Sequence, residues 1–155
     1  MSGLFFAFEG IDGTGKTTQI KRLRHRLEAH GYRVIETKEP TDGLIGKFVR
    51  ESLKQESTIN EASSALLFAA DRMDHLLKKG GLLDFLADDD VVILCDRYLL
   101  SSLAYNSLKE PLEWVLAINK NAQALLTPTA HLLLDLPEQK AMQRIEDRKV
   151  PLERY

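Results

Sequence analysis

The sequence predicts an α/β fold, a doubly wound parallel sheet with helices on both faces. Three observations predict it. A short apolar run, Leu4 to Phe8, leads into the glycine-rich stretch Gly10-Ile11-Asp12-Gly13-Thr14-Gly15-Lys16-Thr17. Apolar residues at helical spacing follow, at Ile20, Leu23 and Leu27. Further along, Val91-Val92-Ile93-Leu94-Cys95-Asp96 is an almost continuous apolar run that ends in a carboxylate, the pattern of a central parallel strand covered on both faces.

The elements follow in order. Leu4 to Phe8 is the first strand and Thr18 to His30 the first helix, stopped by Gly31. Tyr32 to Thr37 alternates as a second strand, and Lys38 to Gly43 is a polar turn. Leu44, Phe48 and Leu53 mark a short helix that carries Arg50. Asn60 to Lys79 is strongly helical and ends at Gly80-Gly81, and Leu82 to Leu86 adds a helical turn. Asp88-Asp89-Asp90 reads as a solvated corner before the strand Val91 to Asp96. Leu99 to Ser107 is helical or irregular, and Pro111 to Leu126 is a helix with proline in its first turn. Ala130 to Asp135 is a further strand, and Pro137 to Asp147 a last helix. Strands alternating with helices build a parallel sheet, whose ligands lie beyond the carboxyl ends of the strands.

Composition narrows the class. With 155 residues, one domain over 1–155 is expected. The hydrophobic fraction of 44% is ordinary for a soluble chain with a real core. A net charge of −2 gives no reason to expect nucleic-acid or membrane binding through bulk charge. No apolar run approaches the roughly 20 residues that cross a bilayer, and no signal peptide is expected. One cysteine, Cys95, leaves no disulfide framework within the chain and fits a cytoplasmic setting. The histidines His25, His30, His75 and His131 show no metal spacing and read as surface or satisfied core residues.

The chemistry starts at the glycine-rich stretch, which is a complete phosphate-binding loop. Its glycines, Gly10, Gly13 and Gly15, let the backbone bend around an anion. Amides from Gly13 to Thr17, with Thr14 and Thr18 alongside, can point inward at the opening of a helix, where the dipole favours negative charge. Lys16 supplies a cation for the β- and γ-phosphates of ATP, and the Thr17 hydroxyl suits Mg²⁺. Asp96, at a strand end facing Lys16 and Thr17, can hold the same metal. Arg97 offers a bidentate fork for a second phosphate, or else a structural ion pair with Asp96 or Glu39. Phe68 and Arg72, four apart on one helix, share a face; they could stack on and hydrogen-bond a base, or be core and surface charge. Arg144, Arg148 and Arg154 belong either to a solvated helix end or to a lid that brings an arginine over the transferring group.

Together these segments resemble the thymidylate kinases, which phosphorylate dTMP with ATP. The resemblance is carried by Phe8-Glu9-Gly10 through Thr18, Lys38-Glu39-Pro40-Thr41, Leu67-Phe68-Ala69-Ala70-Asp71-Arg72, Asp96-Arg97-Tyr98, Ser101-Ser102-Leu103-Ala104-Tyr105-Asn106 and Leu134-Asp135-Leu136. It implies a nucleoside monophosphate kinase architecture, a homodimer, and the conversion of dTMP to dTDP with ATP and Mg²⁺. Asp12 would hold the 3′-hydroxyl, and Glu39, Arg50 and Arg97 would organise the acceptor phosphate. Phe68 would stack on thymine, Arg72 would donate to its O4, and Ser101, Ser102 and Asn106 would lie around the base. Tyr105 would crowd the 2′ position. Gly13 stands where some members carry a catalytic arginine, so the resemblance is to the bacterial type, whose lid, here about 144–154, supplies it from Arg144 or Arg148. Asn106 stands where the family usually has glutamine. The family fold continues past the lid with a strand and a helix, so this chain is expected to lack them and to show an apolar sheet edge. The alternatives are a kinase for another deoxynucleotide or deoxynucleoside, and an inactive nucleotide-binding homologue. A guanine-specific switch is disfavoured, because Asn119-Lys120-Asn121-Ala122 lacks the required aspartate.

Overall fold

The computed structural model describes residues 3–53 and 59–147. The elements run β1 (Leu4–Glu9), α1 (Lys16–Ala29), β2 (Arg33–Lys38), α2 (Leu44–Ser52), α3 (Glu61–Leu77), α4 (Leu82–Phe85), β3 (Val91–Asp96), α5 (Leu99–Asn106), α6 (Leu112–Leu125), β4 (Ala130–Leu133) and α7 (Glu138–Asp147). The four strands form one sheet in the order β2-β3-β1-β4, and every pairing is parallel. Chain order reverses beside β1, and the phosphate loop leaves β1 at that switch point, where open α/β sheets bind their ligands.

Side-chain alternation divides the buried apolar residues of β1, β2 and β3 between two cores. Phe5, Ala7, Val91, Ile93 and Cys95 face Leu76, Leu82, Leu86, Tyr98, Leu99 and Ala122, which come from α3 through α6. Phe8, Val34, Val92 and Leu94 face Ile20 of α1, with Leu23 and Leu27 packed alongside. Val91 to Cys95 is buried at every position, because both faces of β3 are covered. Burying an aliphatic side chain such as Ile93 contributes about 1.5–3 kcal/mol, so these layers carry the fold.

Element boundaries differ from the sequence reading by one to two residues. α1 opens at Lys16 rather than Thr18, because Gly15 in the left-handed region (φ 97°) forms its cap. Pro111 caps α6 rather than entering it, and its carbonyl accepts from Trp114 and Val115. The segment from Leu99 is a regular helix, and β4 ends at Leu133 instead of Asp135. The Leu134 amide still donates to the Glu9 carbonyl at 2.8 Å. β4 is an edge strand, and Leu133 is 71% exposed there.

Candidate active site

The phosphate loop forms as its sequence requires. α1 starts at Lys16, so the amides of its first turn have no partner within the helix and are available to an anion. The Lys16 ammonium, 6% exposed, donates to the carbonyls of Gly10 (3.0 Å) and Ile11 (3.2 Å). It lies 3.8 Å from Asp12 and 3.9 Å from Asp96. Burial lowers its pKa, and Arg97 adds to that; Asp96 and Asp12 oppose both. Thr14 donates to the Ile11 carbonyl at 2.9 Å and so braces the turn. Gly10 has φ 138°, and a Cβ there would come within 2.5 Å of the Leu134 carbonyl, so the chain after β4 can lie directly on the loop only over glycine.

Asp96 ends β3 beside this cradle. Its Oδ2 accepts from the Thr17 hydroxyl at 3.0 Å, and its buried Oδ1, 3.9 Å from the Lys16 ammonium, accepts no hydrogen bond from the described residues. An orphaned carboxylate oxygen next to a hydroxyl is a donor set that fits a hard divalent cation such as Mg²⁺.

Arg97 follows in a left-handed conformation, φ 69°, which costs a side-chain-bearing residue on the order of 1–3 kcal/mol. The turn is held by its neighbours. The Arg97 amide donates to the Phe8 carbonyl (2.9 Å), and the Tyr98 amide donates to Glu9 Oε1 (3.1 Å). The other Glu9 oxygen accepts from Ser101 at 2.6 Å. The guanidinium thereby reaches Asp12 (2.6 Å), Ser101 (3.2 Å) and Tyr105 (3.4 Å). Its ion pair is therefore with Asp12, not with Asp96 or Glu39. Burial alone would make Arg97 less basic, but Tyr105 and Asp12 outweigh it and hold the guanidinium charged.

Arg72 is not a surface charge. It is 1% exposed; its Nε donates to Glu39 Oε2 at 2.9 Å, and one terminal nitrogen lies 2.8 Å from the same oxygen in an ion pair. It also donates to Asn119 and, at 3.0 Å, to Ser102. Glu39 arrives at the end of β2, before a cis bond to Pro40. α3 fixes this turn as well, because Asp71 accepts from both the amide and the hydroxyl of Thr41 at 2.7 Å. Arg50 closes the turn from α2, donating to the Pro40 carbonyl (2.8 Å) and Asp42 (3.1 Å).

These side chains line two adjoining cavities. One, of about 470 Å³, has Phe68, Arg72, Ser101, Ser102, Tyr105 and Asn106 in its wall. The Asn106 Nδ2 is buried there without a hydrogen-bond partner among the described residues. The other, of about 600 Å³, is bounded by Asp12, Gly13, Gly15, Lys16, Thr17, Thr18, Arg50 and Asp96. Glu39 and Arg97 line both. Thr14 lines instead a neighbouring cavity with Thr18 and Arg144, and Arg144 donates to the Gly13 carbonyl at 3.3 Å. Arg148 and Arg154 lie outside the described residues, as does the lid beyond Asp147.

Four residues of this constellation escape a sequence reading: Glu9, Asp71, His75 and Asn119. Glu9 carries the clearest signal, a carboxylate at the end of an otherwise apolar strand. The others are ordinary polar residues on helices, and only the tertiary contacts single them out.

A phosphate loop at the switch point of a parallel sheet, with a second cavity sharing Arg97, defines the phosphate-loop class of nucleotide-binding α/β proteins. Comparison narrows it. The family model described as Thymidylate kinase matches residues 8–154. The probable thymidylate kinase of Pyrococcus horikoshii is 44% identical over 154 residues, covering 96% of this chain and 72% of that protein. The thymidylate kinase of Bifidobacterium longum subsp. infantis is 41% identical over 153 residues, covering 94% of this chain and 64% of its own. The crystal structure of thymidylate kinase from Ehrlichia chaffeensis superposes with a TM-score of 0.74 at 27% identity, covering 95% of this chain and 84% of that one. The chain belongs to the thymidylate kinase family. Among the described residues no helix is long and apolar enough to cross a membrane.

Proposed function

We propose that this chain transfers the γ-phosphoryl group of ATP to dTMP, giving dTDP and ADP. The observation that carries the reading is the joint lining of the two cavities by Glu39 and Arg97. A donor held by the phosphate loop and an acceptor held against Phe68 and Arg72 would meet at those two residues.

The acceptor oxygen is already anionic, so no general base is required. Positioning and charge neutralisation do the work. Lys16 and the first-turn amides of α1 bind the donor phosphates, and Arg97 forks onto the acceptor phosphate. Arg50 and Glu39 keep that approach in shape, and Asp12 takes the 3′-hydroxyl. Phe68 stacks on the base while Arg72 donates to a carbonyl oxygen on it; Ser101, Ser102 and Asn106 complete the wall. Tyr105 closes on the sugar and disfavours a 2′-hydroxyl. Thr17 and Asp96 would hold Mg²⁺, which when bound neutralises charge on the donor phosphates. Arg144, already on the Gly13 carbonyl, is the described candidate for the lid arginine, and Arg148 is the other.

Residues 1–155 act as one kinase domain in this reading, with the lid from about 144. A homodimer is supported by the exposed apolar side chains of neighbouring helices, Leu44 and Phe48 on α2, Leu66 on α3, and Leu112 and Leu116 on α6. A cytoplasmic setting accords with the buried free thiol of Cys95, whose ionisation burial strongly opposes. Coupled ADP release tests the substrate. dTMP should support turnover far faster than dAMP, dCMP or dGMP, and equal rates with all four would remove the specificity.

A further inference from the structure

We propose that His75 is a positioning residue for the acceptor pocket, one that sets the Arg72 guanidinium through the Glu39 carboxylate without touching substrate. The proposal deepens the pyrimidine-pocket reading above and rests on it.

Three residues on one face of α3 engage the turn after β2. Asp71 holds Thr41, Arg72 holds Glu39, and His75 holds Glu39 from the other side. The relay runs from Thr37 Oγ1 to His75 Nε2 at 2.7 Å, then from His75 Nδ1 to Glu39 Oε1 at 3.2 Å. The second carboxylate oxygen, Oε2, accepts a hydrogen bond from Arg72 Nε and lies in an ion pair with one of its terminal nitrogens. His75, Glu39 and Arg72 are 5%, 6% and 1% exposed, so their mutual contacts face little competition from water.

Arg72 and Glu39 both line the acceptor cavity, whereas His75 lines a different one, behind the turn, together with Thr37. Nothing on the His75 ring is therefore directed at the acceptor. Its effect must pass through the carboxylate. A glutamate carboxyl rotates in a broad torsional well and does not by itself fix its plane. Contacts from opposite sides do fix it, a hydrogen bond from an imidazole on Oε1 and a hydrogen bond plus an ion-pair contact from a guanidinium on Oε2. An ionised carboxylate only accepts, so the ring nitrogen facing Glu39, Nδ1, carries the hydrogen. With Asn119 on one terminal nitrogen and Ser102 and the Tyr98 carbonyl on the other, Arg72 is then held in one orientation and keeps one N–H for the acceptor.

The test compares three variants of the full chain. The amide nitrogen of asparagine can occupy the place of Nδ1, whereas that of glutamine reaches only the place of Nε2. In steady-state kinetics His75→Phe should raise the KM for dTMP about tenfold, the loss expected for one hydrogen bond to a charged group. The KM for ATP should move much less than that for dTMP, since Arg72 lines the acceptor cavity and not the donor one. His75→Asn should restore the dTMP KM and His75→Gln should not. An unmoved dTMP KM in His75→Phe, or equal behaviour of the Asn and Gln variants, overturns the proposal; the Asn and Gln pair decides it even where His75→Phe fails to fold. ¹⁵N-histidine NMR of the wild type gives a reading independent of substrate. His75 should be protonated at Nδ1, and a bare Nδ1 overturns the relay. A wild type without preference for dTMP would defeat the substrate reading, while the NMR result would still decide the Glu39 bond.

Discussion

The Thr17 hydroxyl donates to Asp96 Oδ2 at 3.0 Å, joining the start of α1 to the end of β3 across 79 residues of sequence. The carboxylate's other oxygen accepts no hydrogen bond from the described residues although it is buried. Asp96→Asn should keep the bond from Thr17 but lose the charge. The Mg²⁺ concentration for half-maximal activity should then rise at least about tenfold, read from rate against total Mg²⁺ at fixed ATP. An unchanged Mg²⁺ dependence would remove Asp96 from that role.

Lys16 is held by loop carbonyls that leave its charge beside Asp12 and Asp96. Lys16→Met should lower kcat about 10²–10³-fold through lost charge stabilisation. It also has a pH signature. Burial, then Arg97, lowers the Lys16 pKa below its ordinary 10.5 in the folded chain. Between that lowered value and 10.5 the unfolded chain binds the proton and the folded chain does not, so stability rises with pH across this window. The stability of the wild type relative to Lys16→Met should therefore climb as pH approaches 10.5, as measured by denaturant unfolding without nucleotide. A flat difference would show that the buried ammonium carries no such penalty.

Arg72 and Glu39 form a nearly fully buried ion pair. Arg72→Ala leaves the carboxylate without its partner and should cost about 3–5 kcal/mol of stability as well as dTMP binding. Adding Glu39→Gln to it should recover part of the stability and none of the binding. Full recovery of dTMP binding in the double variant would place the base elsewhere.

Gly13 is the point where α7 presses on the loop. It has φ 82°, and a Cβ there would be driven into the Ala141 carbonyl. Gly31 has a similar φ of 89° with nothing nearby. Gly13→Ala and Gly31→Ala should share a strain cost of about 1–3 kcal/mol, but only Gly13→Ala should add a packing loss and raise the KM for ATP. Equal melting temperatures for the two would mean that α7 yields without cost.

Local spacing made much of this architecture readable. The phosphate loop is eight consecutive residues whose chemistry depends on their order alone, and β3 announces itself as an unbroken apolar run. Phe68 with Arg72 is legible as a shared helix face, since helical geometry guarantees it. What that face meets is not legible. Arg72 finds Glu39 33 positions away and Asn119 47 away, and such partners are chosen by packing rather than by spacing. The same holds for Glu9: its place at the end of an apolar strand is legible, but not that its carboxylate holds the left-handed turn at Arg97. The Arg97–Asp12 pair, spanning 85 positions, exists only because β1 and β3 are neighbours in the sheet.

The central expectation is phosphoryl transfer between two nucleotides held in adjoining cavities. Incubation of the full chain with Mg²⁺, dTMP and ATP labelled at the γ-phosphorus measures that directly. The label should appear in dTDP in step with ADP. Label appearing only as inorganic phosphate, or remaining in ATP with dTMP present, would contradict it.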